Sequence, residues 1–254
     1  MQAWRTHRSV ARCVVRGSGG SLPPSPALRL YDVRVCTNRT CKRQGSQQVL
    51  KFVQDLQLEN IDAQASGCLG ICGNGPNVAV VERGAPAGPS SLSEPLVLSH
   101  VATPRDAAEA LGLACGVGID EADVAAVQLR LQGNALAVEG DLEGAVCAYS
   151  SGLAAHPRHG GHLLMLNRSA AQLQLGRKQE ALDDALAALE ASPPGFAKAY
   201  IRAIDCYYAL GRHADAADVY VSAVSANPKL KQQPEFKAAR QALDRAGQAR
   251  VVLA

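Results

Sequence analysis

The spacing of hydrophobic positions changes character part-way along the chain. In the first part, Leu28 to Val35 (LRLYDVRV) is a β-rich run that stops at Cys36. Gln44 to Glu59 places Val49, Leu50, Val53, Leu56 and Leu58 on one side, the spacing of an amphipathic helix. Ile61 to Ala65 is short and extended and stops just before Gly67 and Cys68. A strand, helix and strand of these lengths predict a right-handed βαβ unit with parallel strands, whose post-strand loops share one sheet edge. Two more strands, NVAVV and LVLSHV, and a helix over TPRDAAEALGL follow. From about Val124 alanine becomes abundant, β-branched runs disappear and a helical repeat emerges.

Three landmarks mark that repeat. Gly140, Gly176 and Gly211 are each followed by an alanine (Ala145, Ala181, Ala216) and later by a proline (Pro157, Pro193, Pro228), at intervals of 36 and then 35 residues. Glycine at a turn between paired helices, alanine where they touch and proline ending each unit make the tetratricopeptide pattern. The chain resembles tetratricopeptide repeat proteins from about 126 to 228, and PEFKAARQALDRAG supplies the polar-faced capping helix that a solenoid needs.

The chemistry of the first part lies in cysteines. Cys36 and Cys41 (C-x4-C) and Cys68 and Cys72 (C-x3-C) fall in the two loops that parallel strands bring together. Two close pairs of soft thiolates suit one tetrathiolate inorganic centre, with zinc and a disulfide or thiol redox pair as alternatives. Gly67, Gly70, Gly73 and Gly75 alternate with the second pair and let the backbone pack closely. With the GCLGICGNGP box and the strand NVAVV, these motifs resemble the thioredoxin-like [2Fe-2S] ferredoxins over roughly residues 27–113. The resemblance implies a [2Fe-2S] cluster held by Cys36, Cys41, Cys68 and Cys72, and one-electron transfer or redox sensing with an unknown redox partner. ERGAPAGPSSLSEP departs from the family as a loop insertion away from the ligands.

A second constellation lies on the first helix of each repeat. Arg130 and Asn134 are four apart and share a face, as do Lys198 and Arg202, and Asn167 falls between them in the second repeat. Three cations and two amides around one concavity form a receptor for paired carboxylates. The set resembles the dicarboxylate clamp of Hop-type cochaperones, which implies an acidic C-terminal tail, such as that of a heat-shock chaperone, as the protein partner. Arg130 departs from the family's lysine at its position.

Composition sets bounds. A chain of 254 residues allows two domains, and a net charge of +3 with no basic run interleaved with aromatics gives no sign of nucleic-acid binding. No apolar stretch reaches the ~18 residues of a membrane span. Residues 1–30 hold five arginines and no acid, the composition of an organelle transit peptide, with plastid expected and mitochondrion or cytosol as alternatives. The expected layout is this transit or disordered segment over 1–30, an α/β thioredoxin-like ferredoxin domain over 31–113 and a linker over 114–125. Three tetratricopeptide repeats over 126–228 then form an all-α solenoid, and a capping helix and tail occupy 229–254. Asp120 is expected to cap the first repeat helix. Cys147 and Cys206 are expected in the core, the cluster His156, His159 and His162 in an exposed loop, and Asp183 and Asp184 on a solvated face. No nucleophile grouping or phosphate loop suggests an enzyme. The leading expectation is an iron–sulfur module joined to a protein-binding repeat domain. The alternative is a cochaperone-like adaptor with a structural N-terminal domain.

Overall fold

The structure, a computed structural model, describes residues 29–83 and 95–252. Nearly all of the arginine-rich N-terminal segment and the interior of the ERGAPAGPSSLSEP insertion lie outside these residues.

The first module is a four-stranded sheet with two helices and a one-turn helix beside it. Its strands are β1 (Leu30–Cys36), β2 (Ile61–Ser66), β3 (Val78–Arg83) and β4 (Leu96–Leu98), in the order β2-β1-β3-β4. β1 and β2 are parallel, with Cys36 opposite Ser66, and β3 runs antiparallel to both β1 and β4. The short α1 (Arg39–Arg43) starts at Asn38, whose side chain accepts from Arg39 N at 2.7 Å, and α2 spans Ser46–Asp55. The single helix predicted over 44–59 is therefore a shorter one. It gives way after Asp55, and Gln57 turns the chain with φ 51°. α3 (Pro104–Cys115) opens with a reciprocal cap: Thr103 accepts from Asp106 N, and Asp106 accepts from Thr103 N at 2.9 Å. Val33, Val35, Val49, Phe52 and Leu111 are buried at the centre of this module.

Seven longer helices follow: α4 (Glu121–Glu139), α5 (Leu142–Ala154), α6 (Gly161–Gln174), α7 (Lys178–Ala191), α8 (Ala197–Ala209), α9 (His213–Ala226) and α10 (Pro234–Val252). Asp120 caps α4, accepting from Asp123 N at 3.0 Å while Asp123 accepts from Asp120 N. The repeat landmarks act as their positions predict. Gly140, Gly176 and Gly211 are left-handed, and after each the next N–H returns to a carbonyl five residues back: Asp141 to Leu136, Arg177 to Gln172 and Arg212 to Tyr207, all at 2.9 Å. This closes the exposed carbonyls at each helix end, and a Cβ would strain the positive φ. Ala145, Ala181 and Ala216 are fully buried, so only a methyl group separates the paired helices there. Phe236 of α10 and Leu230 bury the last repeat.

Several local expectations are corrected. Asp184 is buried, because both its oxygens accept from Arg168, at 2.6 and 2.7 Å. Arg168 also reaches Ser150 Oγ at 3.0 Å, so one side chain of α6 ties α5 to α7. His162 is buried edge-on against Phe196, and Cys147 is exposed. Among the described residues no helix is long and apolar enough to cross a membrane.

The two modules share a core. Val124 and Val127 of α4 are buried in the cluster that contains Val49, Phe52 and Leu111.

Tight contact between α4 and α5 makes a test of this packing. A Cβ on Gly133 would come within 2.4 Å of the Tyr149 ring. Gly133→Val is expected to lower stability by about 1–3 kcal/mol, seen as a lower melting temperature by circular dichroism.

Candidate functional site

The four loop cysteines do meet at one sheet edge, because β1 and β2 are parallel and in register. Cys36 ends β1 and Cys41 is the third residue of α1; Cys68 and Cys72 lie in the loop after β2. They meet as two unlike pairs. Cys36 and Cys41 are buried, and the Cys41 sulfur lies against Gly75, where a Cβ would come within 2.6 Å. Burial, and then the hydrogen bond with Cys36, raise the Cys41 thiol above its ordinary pKa. Cys68 and Cys72 are exposed, with their sulfurs 3.1 Å apart. The bond with Cys72, helped by the Gly70 N–H at 3.4 Å, holds Cys68 below the ordinary thiol range and pushes Cys72 above it. Of the two sulfurs, Cys68 is the one whose thiolate is the more stabilised.

This arrangement corrects the expected cofactor. Among the described residues no group of three or more cysteine, histidine, aspartate or glutamate side chains is placed to hold a metal ion. The [2Fe-2S] cluster inferred at Cys36, Cys41, Cys68 and Cys72 is overturned on that ground, and zinc with it. Sequence spacing brings two thiol-bearing loops to one edge. It does not show that one sulfur is packed under a glycine and that the exposed pair has closed on itself.

The second candidate site is a cavity of about 410 Å³ between α4, α6, α8 and the end of α2. Arg130, Asn167, Lys198 and Arg202 all line it, over a floor that includes Leu166 and Ile201. Lys198 is exposed and pairs with no acid among the described residues. Arg202 approaches Asp205 only to 3.9 Å, and its Nε is buried without a hydrogen-bond partner. Asn134 is not in the lining. Its Oδ1 accepts from Tyr149 Oη and from Asn167 Nδ2, both at 2.8 Å, so it orients Asn167 from behind.

Asp55, the last residue of α2, lines the same cavity and forms an ion pair with Arg130; sequence reasoning missed it. Burial raises its carboxyl above the ordinary aspartate value, while Arg130, Lys51 and Lys198 draw it back. One local signal was present. A carboxylate at a helix C-terminus opposes the helix dipole, and so implies a cation supplied from elsewhere.

A tetratricopeptide solenoid joined through a shared core to a small mixed-sheet module, with a cationic groove on its inner helices, defines the class of this protein. No family model matches the chain. It is 37% identical over 101 residues to human tetratricopeptide repeat protein 28, covering 40% of this chain and 4% of that protein. It is 33% identical over 107 residues to the protein STIP1 homolog of Dictyostelium discoideum, covering 42% of this chain and 18% of the relative. A solved structure, the first repeat domain of Spaghetti (RPAP3) bound to HSP90 peptide SRMEEVD, is 25% identical with a TM-score of 0.43; it covers 50% of this chain and 94% of its own. The chain thus spans less than a fifth of the length of these two curated relatives. The two curated matches support a tetratricopeptide repeat region in this chain.

The cysteine geometry has a direct chemical readout. Brief alkylation of the native protein followed by mass spectrometry is expected to label Cys68, Cys72 and the exposed Cys147 well before Cys36, Cys41, Cys115 and Cys206. Cys72→Ala, which removes the neighbouring donor, is expected to slow labelling of Cys68. Uniform labelling would contradict the two-pair arrangement.

Proposed function

We propose that the protein is an adaptor whose repeat groove receives an acidic peptide, such as the C-terminal tail of a heat-shock chaperone. The observation that carries this reading is the convergence of Arg130, Asn167, Lys198 and Arg202, drawn from three successive repeats, on one cavity. Lys198 and Arg202 lie one helical turn apart, Lys198 exposed and Arg202 with its Nε unpartnered, so together they suit a carboxylate. Charge-assisted hydrogen bonds contribute ~1.5–3 kcal/mol each. Two or three of them, set against the ordering of a short peptide, give a dissociation constant in the roughly micromolar range. Similarity to the STIP1 homolog supports the same reading.

In this account the sheet module is a structural partner of the solenoid. Its strand order and directions, with a parallel β1–β2 pair and an antiparallel β3–β4 pair, support a thioredoxin-like arrangement.

Titration of the full chain with the peptide SRMEEVD, followed by calorimetry, tests the proposal. Lys198→Ala and Arg202→Ala are each expected to weaken binding by about tenfold, or about 1.4 kcal/mol. Affinity unchanged by both substitutions, or no binding by the wild type, would overturn it.

A further inference from the structure

The cavity contains carboxylates already: Glu235 of α10 lines it without an ion pair among the described residues, and Asp55 is paired. Asp55 reaches the cavity from the sheet module and engages Arg130, the cation at the first-repeat end. Their side chains are 18% and 10% exposed, so each depends on the other for charge compensation. Asp55 is also firmly placed. Leu56 beside it is buried in the shared core, and the Gly160 backbone packs so closely that a Cβ there would lie 2.9 Å from the Asp55 carbonyl. The amides at that end are engaged with each other, since Asn134 Oδ1 accepts from both Asn167 and Tyr149. Buried Nε atoms of both Arg130 and Arg202 lack a hydrogen-bond partner, so the cations of the two ends differ in the ion pair alone: Lys198 has no acidic partner among the described residues, and Arg202 has only the distant Asp205.

We propose that Asp55 is a specificity-determining residue of the groove, an internal carboxylate that occupies Arg130 and restricts recognition to side-chain carboxylates held by Lys198 and Arg202. The inference rests on the acidic-peptide reading and narrows it. A groove with all its cations free would grip two carboxylates, including the one at a free C-terminus. A ligand carboxylate that reaches Arg130 here must compete with Asp55 for the same guanidinium. That exchange gains one ion pair and loses another, so a peptide's terminal carboxylate adds little to binding. The groove therefore accepts an acidic segment whether or not the chain ends there.

The test compares SRMEEVD as the free acid with the same peptide amidated at its C-terminus, by calorimetry on the full chain. Wild type is expected to bind the two within about twofold. Asp55→Asn, which keeps the shape and removes the charge, is expected to bind the free acid about tenfold more tightly than wild type does, with little change for the amide. The charge-balanced double variant Asp55→Asn with Arg130→Gln is expected to return to wild-type behaviour. A purely structural ion pair would alter melting temperature but not this acid-to-amide ratio.

A wild-type preference of about tenfold or more for the free acid overturns the inference and leaves the peptide-binding reading standing. So does a folded Asp55→Asn variant with unchanged ratio. Flat titrations for both peptides with every protein overturn the peptide-binding reading and this inference with it. The wild-type comparison and the double variant decide the matter even if Asp55→Asn alone fails to fold.

Discussion

The ion pair between Asp55 and Arg130 is the constraint on which the arrangement of the molecule turns. Each charge is largely buried and neither has another counter-ion at comparable range, so the end of α2 and the middle of α4 must meet. Val127 and Val124, one and two turns earlier on α4, then fall among Val49, Phe52 and Leu111 of the sheet module. The apolar contact supplies the non-directional part of the association, and the ion pair fixes its register. The sheet module consequently forms one wall of the groove instead of hanging from it.

Within the solenoid, geometry is set by small residues and closed helix ends. The three left-handed glycines turn the chain at the same point of each repeat, and the three buried alanines let the paired helices approach. Arg168 adds a polar tie across α5, α6 and α7 that a purely apolar repeat would lack. Asp123 does similar work at the first repeat: besides its cap, it accepts from His159 N at 2.8 Å and so holds the loop before α6 against the start of α4. These contacts keep the inner helices in place, so the groove residues converge.

Local patterns in the sequence were readable in proportion to how local their causes are. The glycine–alanine–proline period survives translation into structure because each landmark acts within its own helix pair. The parallel β1–β2 pair was legible for the same reason, since strand, helix and strand are contiguous. Misreadings came where a side chain's environment is supplied from another element. Asp184 looks solvated on its own helix until Arg168 is seen across the neighbouring one. His162 sits next to a loop but is covered by Phe196 from the third repeat. Cys147 has apolar neighbours in sequence, yet Ala148 and Tyr149 point inward and it does not. The four loop cysteines were correctly brought to one edge, while their division into a covered pair and an exposed pair depends on the path of Gly75 over Cys41. Asp55 belongs to the same class, its cation lying 75 positions further along the chain.

A structure of the full chain in complex with SRMEEVD tests the central claim most directly. The account requires acidic side chains of the peptide on Lys198 and Arg202, with Arg130 still paired to Asp55. A peptide whose terminal carboxylate sits on Arg130 with Asp55 turned away, or one bound outside the groove, would contradict it.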